Sequence, residues 1–65
     1  MSEITLKMMV DEIEREIKMR KQVYGRQVDR GSMKKREADH LIAIMEAVRD
    51  VLKQLHEEQR LEVHT

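Results

Sequence analysis

The chain has no cysteine, no proline, no phenylalanine and no tryptophan, and only one tyrosine and two glycines among its 65 residues. Without cysteine there can be no disulfide and no thiolate metal site, which suits a cytoplasmic setting. Without proline, Gly25 and Gly31 are the strongest breaks available to the backbone. Strand formers are sparse and never alternate over a usable stretch. No apolar run approaches the roughly 20 residues that span a bilayer, so membrane insertion is not expected. The opening Met1-Ser2-Glu3-Ile4 has no basic region followed by an apolar one, so no secretory signal is expected. There is no glycine-rich phosphate loop, and no nucleophile stands beside a base. Ser2, Thr5, Ser32 and Thr65 fall at ends or turns, where hydroxyls cap helices. Neither enzymatic activity nor a cofactor is expected.

What remains is a helical composition with 40% charged residues, enough for long polar helix faces. The length allows one domain at most. Ser2 is a good N-cap for a first helix over about residues 3–24, with Glu3 near its positive end. Its apolar positions are Leu6, Val10, Ile13, Ile17 and, past a polar gap at Arg20, Tyr24, a heptad seam that Ile4 and Met9 widen. Glu14 with Lys18, and Glu16 with Arg20, are ion pairs spaced to support the exposed face. Gly25 weakens or bends the helix, and Gly31 is the better stop, because glycine accepts the left-handed conformation that closes a helix. A turn over about 25–33 then makes the next helix an antiparallel neighbour.

The second helix is expected over about residues 34–60, with a frayed tail over 61–65. Its seam reads Ala38, Leu41, Met45, Val48, Leu52, Leu55, and Ile42, Ile44 and Val51 lie beside it. That stripe is wider than one partner helix can cover. The fold class expected is therefore all-α, an antiparallel two-helix hairpin dimerising into a four-helix bundle. The expected dimer interface is Leu41, Ile44, Met45, Val48, Val51, Leu52 and Leu55. A chain this small, with no metal or disulfide, has oligomerisation as its remaining source of stability.

The formal net charge is zero, but its distribution is uneven. Residues 1–17 carry five acids and two bases, net −3; residues 18–36 carry eight bases and one acid, net +7; residues 37–65 carry seven acids and three bases, net −4. In a hairpin the closed tip is basic and the open end acidic. Three readings compete: a solvated charge pattern, self-pairing in which each tip lies near the partner's acidic end, and a landing site for nucleic acid or an acidic protein surface. The basic segment has a single aromatic and no DNA-binding motif, so direct nucleic-acid binding is the weaker case. The candidate partner-binding residues are Arg20, Tyr24, Arg26, Arg30 and Lys35. Tyr24 either closes the seam of the first helix or anchors a partner at the tip.

Glu37-x-x-His40 has the spacing of a di-iron carboxylate motif, with Glu12 or Glu16 as further ligands across a dimer. An acid is favoured at Glu37 anyway, in a helix's first turn, and the facing Lys18–Lys21 stretch would repel a cation. No metal is therefore expected. His56 and His64 lack ligand-spaced partners and read as surface residues. Most of the six methionines read as core filler, while Met8, Met19 and Met33 fall off the seams and offer an adaptable surface.

The stretch Glu14-Arg15-Glu16-Ile17-Lys18-Met19-Arg20-Lys21-Gln22-Val23-Tyr24-Gly25, then Gly31-Ser32-Met33, then Glu37-Ala38-Asp39-His40-Leu41-Ile42-Ala43-Ile44-Met45-Glu46-Ala47, resembles a family of very small phage and prophage proteins. That family reads as an MRRRVYP segment, a GRMT turn and an EADRxIAxMEAI helix. The resemblance covers roughly residues 12–50 and departs at Gly25, where the family has proline, and at Lys34, where it has a threonine cap. In size and architecture it extends to the helical-hairpin anti-activators of Pseudomonas phages. It implies a homodimer that binds a host quorum-sensing transcription activator at its DNA-binding domain, and also a pilus-assembly ATPase.

Overall fold

The structure, a computed structural model, describes residues 3–63. Two helices run through them, α1 (Leu6–Asp29) and α2 (Lys35–Val63), packed against each other as a hairpin. Lys21 reaches Glu46 at 3.6 Å and Lys53 reaches Glu14 at 3.6 Å, so the helices are antiparallel.

Helix α1 starts later than residue 3. Thr5 is its N-cap: the backbone is extended there, at φ −102° and ψ 162°, and the hydroxyl oxygen accepts the Met8 N–H at 3.1 Å. Ser2 lies outside the described residues, and Glu3 stands ahead of the cap rather than in the first turn. The helix also continues past residue 24. Gly25 sits in an unbroken helical run, because a single interior glycine costs only about 1 kcal/mol and four more residues add helical hydrogen bonds. The stop is Gly31, at φ +78°. The Ser32 N–H donates to the Gln27 carbonyl at 2.9 Å and the Gly31 N–H to the Val28 carbonyl at 3.0 Å. This is a Schellman closure, which a Cβ at the left-handed position would strain. The turn is therefore shorter than 25–33.

Helix α2 begins directly after Lys34, whose carbonyl accepts the Ala38 N–H at 3.0 Å. It extends to Val63, past the expected end at about residue 60, with Arg60 in its last turn, where a cation is favoured. His64 and Thr65 lie outside the described residues.

The core is thin. Val10, Ile17 and Ala38 are buried, and no side chain among the described residues is wholly removed from solvent. The Cα envelope measures 52 × 26 × 12 Å, a slab one helix layer thick.

Which face of α2 meets α1 differs from the sequence expectation. Ala38, Met45 and Leu52 do turn inward, but the alternating positions that join them there are Ile42, Arg49 and His56, all half-buried. Val48 and Leu55, expected on the seam, are exposed. A straight helix of 3.6 residues per turn drifts about 20° per heptad against a strict 3.5 repeat, so the Leu41–Val48–Leu55 row rotates away from α1. Ala38, Met45 and Leu52 thus serve two seams. The inner one is flanked by Ile42, Arg49 and His56, the outer one by Leu41, Val48 and Leu55.

Candidate interaction surfaces

The two cross-helix ion pairs mark one broad side of the slab as charged, with Lys21, Glu46, Glu14 and Lys53 on it. The other side carries the outer seam. There Met9, Glu12, Ile13 and Glu16 of α1 line a shallow groove with Leu52. Along α2 on that side Ile44, Val48, Val51 and Leu55 remain 48, 46, 60 and 45% exposed. They recur at steps of four, three and four residues, so they form a continuous row rather than scattered apolar spots. Of the seven residues expected at the dimer interface, these four are open on the hairpin, while Leu41, Met45 and Leu52 are half-buried.

A second feature lies near the tip and opens on the charged side. It is an open groove of about 600 Å³, lined by Tyr24 and Val28 of α1, Ala38 and Ile42 of α2, and charged rims that include Lys21, Asp29, Lys35 and Glu46. Tyr24 is half-buried, so its ring belongs partly to the seam and partly to the groove. Lys35 is bonded to Asp39 at 3.0 Å. Arg20 donates through Nε to Glu16 at 2.8 Å. Its affinity for a proton rises above the ordinary arginine range, through the hydrogen bond and charge of Glu16 first and Tyr24 beside it second. Arg26 and Arg30 are exposed and line none of this groove. Arg26 is two residues beyond Tyr24, about 200° further round the helix, which turns it away from α2. The five candidate partner residues therefore divide: Tyr24 and Lys35 share the groove, Arg20 adjoins Tyr24, and Arg26 and Arg30 lie outside.

Sequence reasoning missed Val28, Ile42, Asp29 and Glu46 as groove residues, and missed both cross-helix ion pairs. Glu14 pairs across the hairpin with Lys53 rather than along α1 with Lys18, whereas the Glu16–Arg20 pair forms as expected. The signal was present: once Gly31 is fixed as the stop, levels along the hairpin follow, and opposite charges at matching levels become visible.

Glu37 and His40 are both exposed and share a surface depression with Lys34 and Arg36. Glu12 is paired with Arg15, which holds its carboxyl below the usual carboxylate range through the hydrogen bond first and the charge second. Among the described residues no group of three or more histidine or carboxylate side chains is placed to hold a metal ion. His56 is half-buried on the inner seam rather than on the surface. Among the described residues no helix is long and apolar enough to cross a membrane.

In comparisons with known proteins, no protein-family model, no curated protein and no solved structure matches the chain.

Proposed function

We propose that the chain is a homodimeric interaction protein that binds and inhibits another protein. The observation that carries this reading is the outer seam. The row Leu41, Val48, Leu55, with Ile44 and Val51 beside it, is more apolar than the inner seam, whose flanks are Arg49 and His56, and all of it but the half-buried Leu41 is left open on the hairpin. An exposed apolar row rimmed by charge is the mark of a protein-binding face. With the outer seam given to a second copy, the tip groove around Tyr24 and Lys35 and the exposed cations Arg26 and Arg30 remain for a further partner.

The resemblance of residues 12–50 supplies the biological setting of the proposal. In it the chain is phage-encoded and works in the bacterial cytoplasm. Its host target is a quorum-sensing transcription activator, whose DNA binding it blocks, or a pilus-assembly ATPase. The net +7 of residues 18–36 favours one second reading, a nucleic-acid-associated accessory protein that uses the basic tip.

One titration series separates the two. The purified protein is titrated against the DNA-binding domain of a quorum-sensing activator, against a pilus-assembly ATPase, and against random duplex DNA at two salt concentrations. Saturable binding to either protein, lost in Tyr24→Ala, supports inhibition of a host protein. Binding to random DNA that weakens steeply with salt, with neither protein bound, supports the nucleic-acid reading instead.

A further inference from the structure

We infer that a second copy of the chain covers the outer seam of α2 with its own outer seam, in a two-fold arrangement centred on Val48 that lays each hairpin tip over its partner's open end. The inference rests on the homodimer proposed above and adds the buried surface and its orientation.

The apolar pattern is the first argument. Leu41 and Leu55 stand seven residues either side of Val48, and Ile44 and Leu52 stand four. When α2 lies antiparallel on its copy, Val48 meets the partner's Val48 and Leu41 meets the partner's Leu55, so every apolar position finds an apolar one. Stacking the hairpins with both tips at one end does the opposite. It lays the outer seam on the flank of the partner's α1. On this side of the slab that flank carries Glu16, with Arg20 bonded to it. Drying a charged pair against leucine and valine is costly.

Charge supplies the second argument. Tips together would set a segment of net +7 beside its own copy, whereas tips apart set it beside segments of net −3 and −4. Like charges across an interface are disfavoured, and complementary ones fix the orientation.

The third argument is area. A slab one helix layer thick offers a face two helix diameters wide, about 20 Å, along the about 36 Å of α1, or roughly 700 Å² before side-chain corrugation. A stable interface needs about 800 Å² per partner, so the whole face must be used. An antiparallel overlap centred near the middle of α2 uses it, and lays the α1 flank with Glu16 and Arg20 on the same polar flank of the partner's α1 rather than on leucine and valine. One consequence follows for the proposed function. The charged sides face outward and the two tip grooves lie at opposite ends of the bundle, as two separate and equivalent partner sites.

Because the chain has no cysteine, single-cysteine variants report the geometry directly. A disulfide requires Cα atoms about 4.4–6.8 Å apart. Val48 and Leu55 are exposed on the hairpin, so cysteine there leaves its own packing intact. Circular dichroism checks helix content in each variant, and sedimentation equilibrium gives the mass of the unmodified chain. The expected result is a sedimenting dimer in which V48C oxidises to a band at twice the chain mass. L41C and L55C each stay single when oxidised alone, and their equimolar mixture gives the double-mass band. A sedimenting dimer in which V48C stays single, or L55C links to itself, overturns the arrangement and leaves the homodimer standing. A sedimenting monomer overturns both.

Discussion

Thr5 sets the start of α1 with one hydrogen bond, to the Met8 N–H. Thr5→Ala should weaken the first turn by about 1 kcal/mol, read as roughly fivefold faster hydrogen exchange at Met8. The two glycines make a sharper contrast. Nothing stands within 4 Å of a Cβ built at either one, so space is not the difference. Gly25 lies in the helix interior, and Gly25→Ala should raise stability by about 0.5–1 kcal/mol. Gly31 has φ +78°, and Gly31→Ala should lower stability by about 1–2 kcal/mol. Thermal melts of both variants check the opposite signs. Tyr24 is half-buried, between the cost of a core aromatic and that of a surface one. Tyr24→Ala should cost about 2 kcal/mol in stability, roughly half the loss for a fully buried ring, and should also abolish partner binding at the tip. The Glu12 carboxyl, lowered by Arg15, contributes stability above its ordinary value of 4.5 that is lost as pH falls through the lowered folded value. Replacing Glu12 by Gln should therefore remove part of the fall in melting temperature that enters in the carboxylate range.

The helices themselves were legible in the sequence: an absence of proline, two seams of heptad spacing and Gly31 as the stop suffice for an antiparallel hairpin. Their limits were less so, because Gly25 reads as a break while the cost of one glycine is smaller than the gain from the turn that follows. The facing of α2 was legible only in part. Leu41, Val48 and Leu55 are the stronger apolar row, which the sequence places both on the seam of the second helix and in the expected dimer interface, so it does not say which row α1 covers. In the hairpin, α1 covers Ile42, Arg49 and His56, because the shared positions Ala38, Met45 and Leu52 allow either row. That exchange leaves the stronger row free, and it makes Val48→Asp informative. On an isolated hairpin Val48 is exposed and the substitution should change stability by less than about 0.5 kcal/mol. In a bundle it buries an unpaired charge and should cost several kcal/mol. A marked fall in melting temperature together with a halved mass would locate the interface on the outer seam. Leu52→Asp, on both seams, should lower stability in either case.

A slab with one apolar and one charged side has its polar contacts almost entirely at the surface. The two ion pairs that cross the hairpin are each 3.6 Å long and well exposed, and such pairs contribute about 0–1 kcal/mol. Charge therefore does little for the fold and acts on association. Reversing Arg26, Arg30 and Lys35 to Glu should leave helicity and melting nearly unchanged at moderate salt while weakening partner capture, with the greater loss at low salt. The candidate site was legible only in outline, as a basic tip with a tyrosine; its groove depends on the level at which Ile42 meets Tyr24, which no single helix specifies. The central claim is that the outer seam needs a second copy. Sedimentation equilibrium of the unmodified chain at micromolar concentration tests it most directly. The expected mass is twice the 7.8 kDa of one chain. A single-chain mass from protein that is fully helical and melts cooperatively would contradict it.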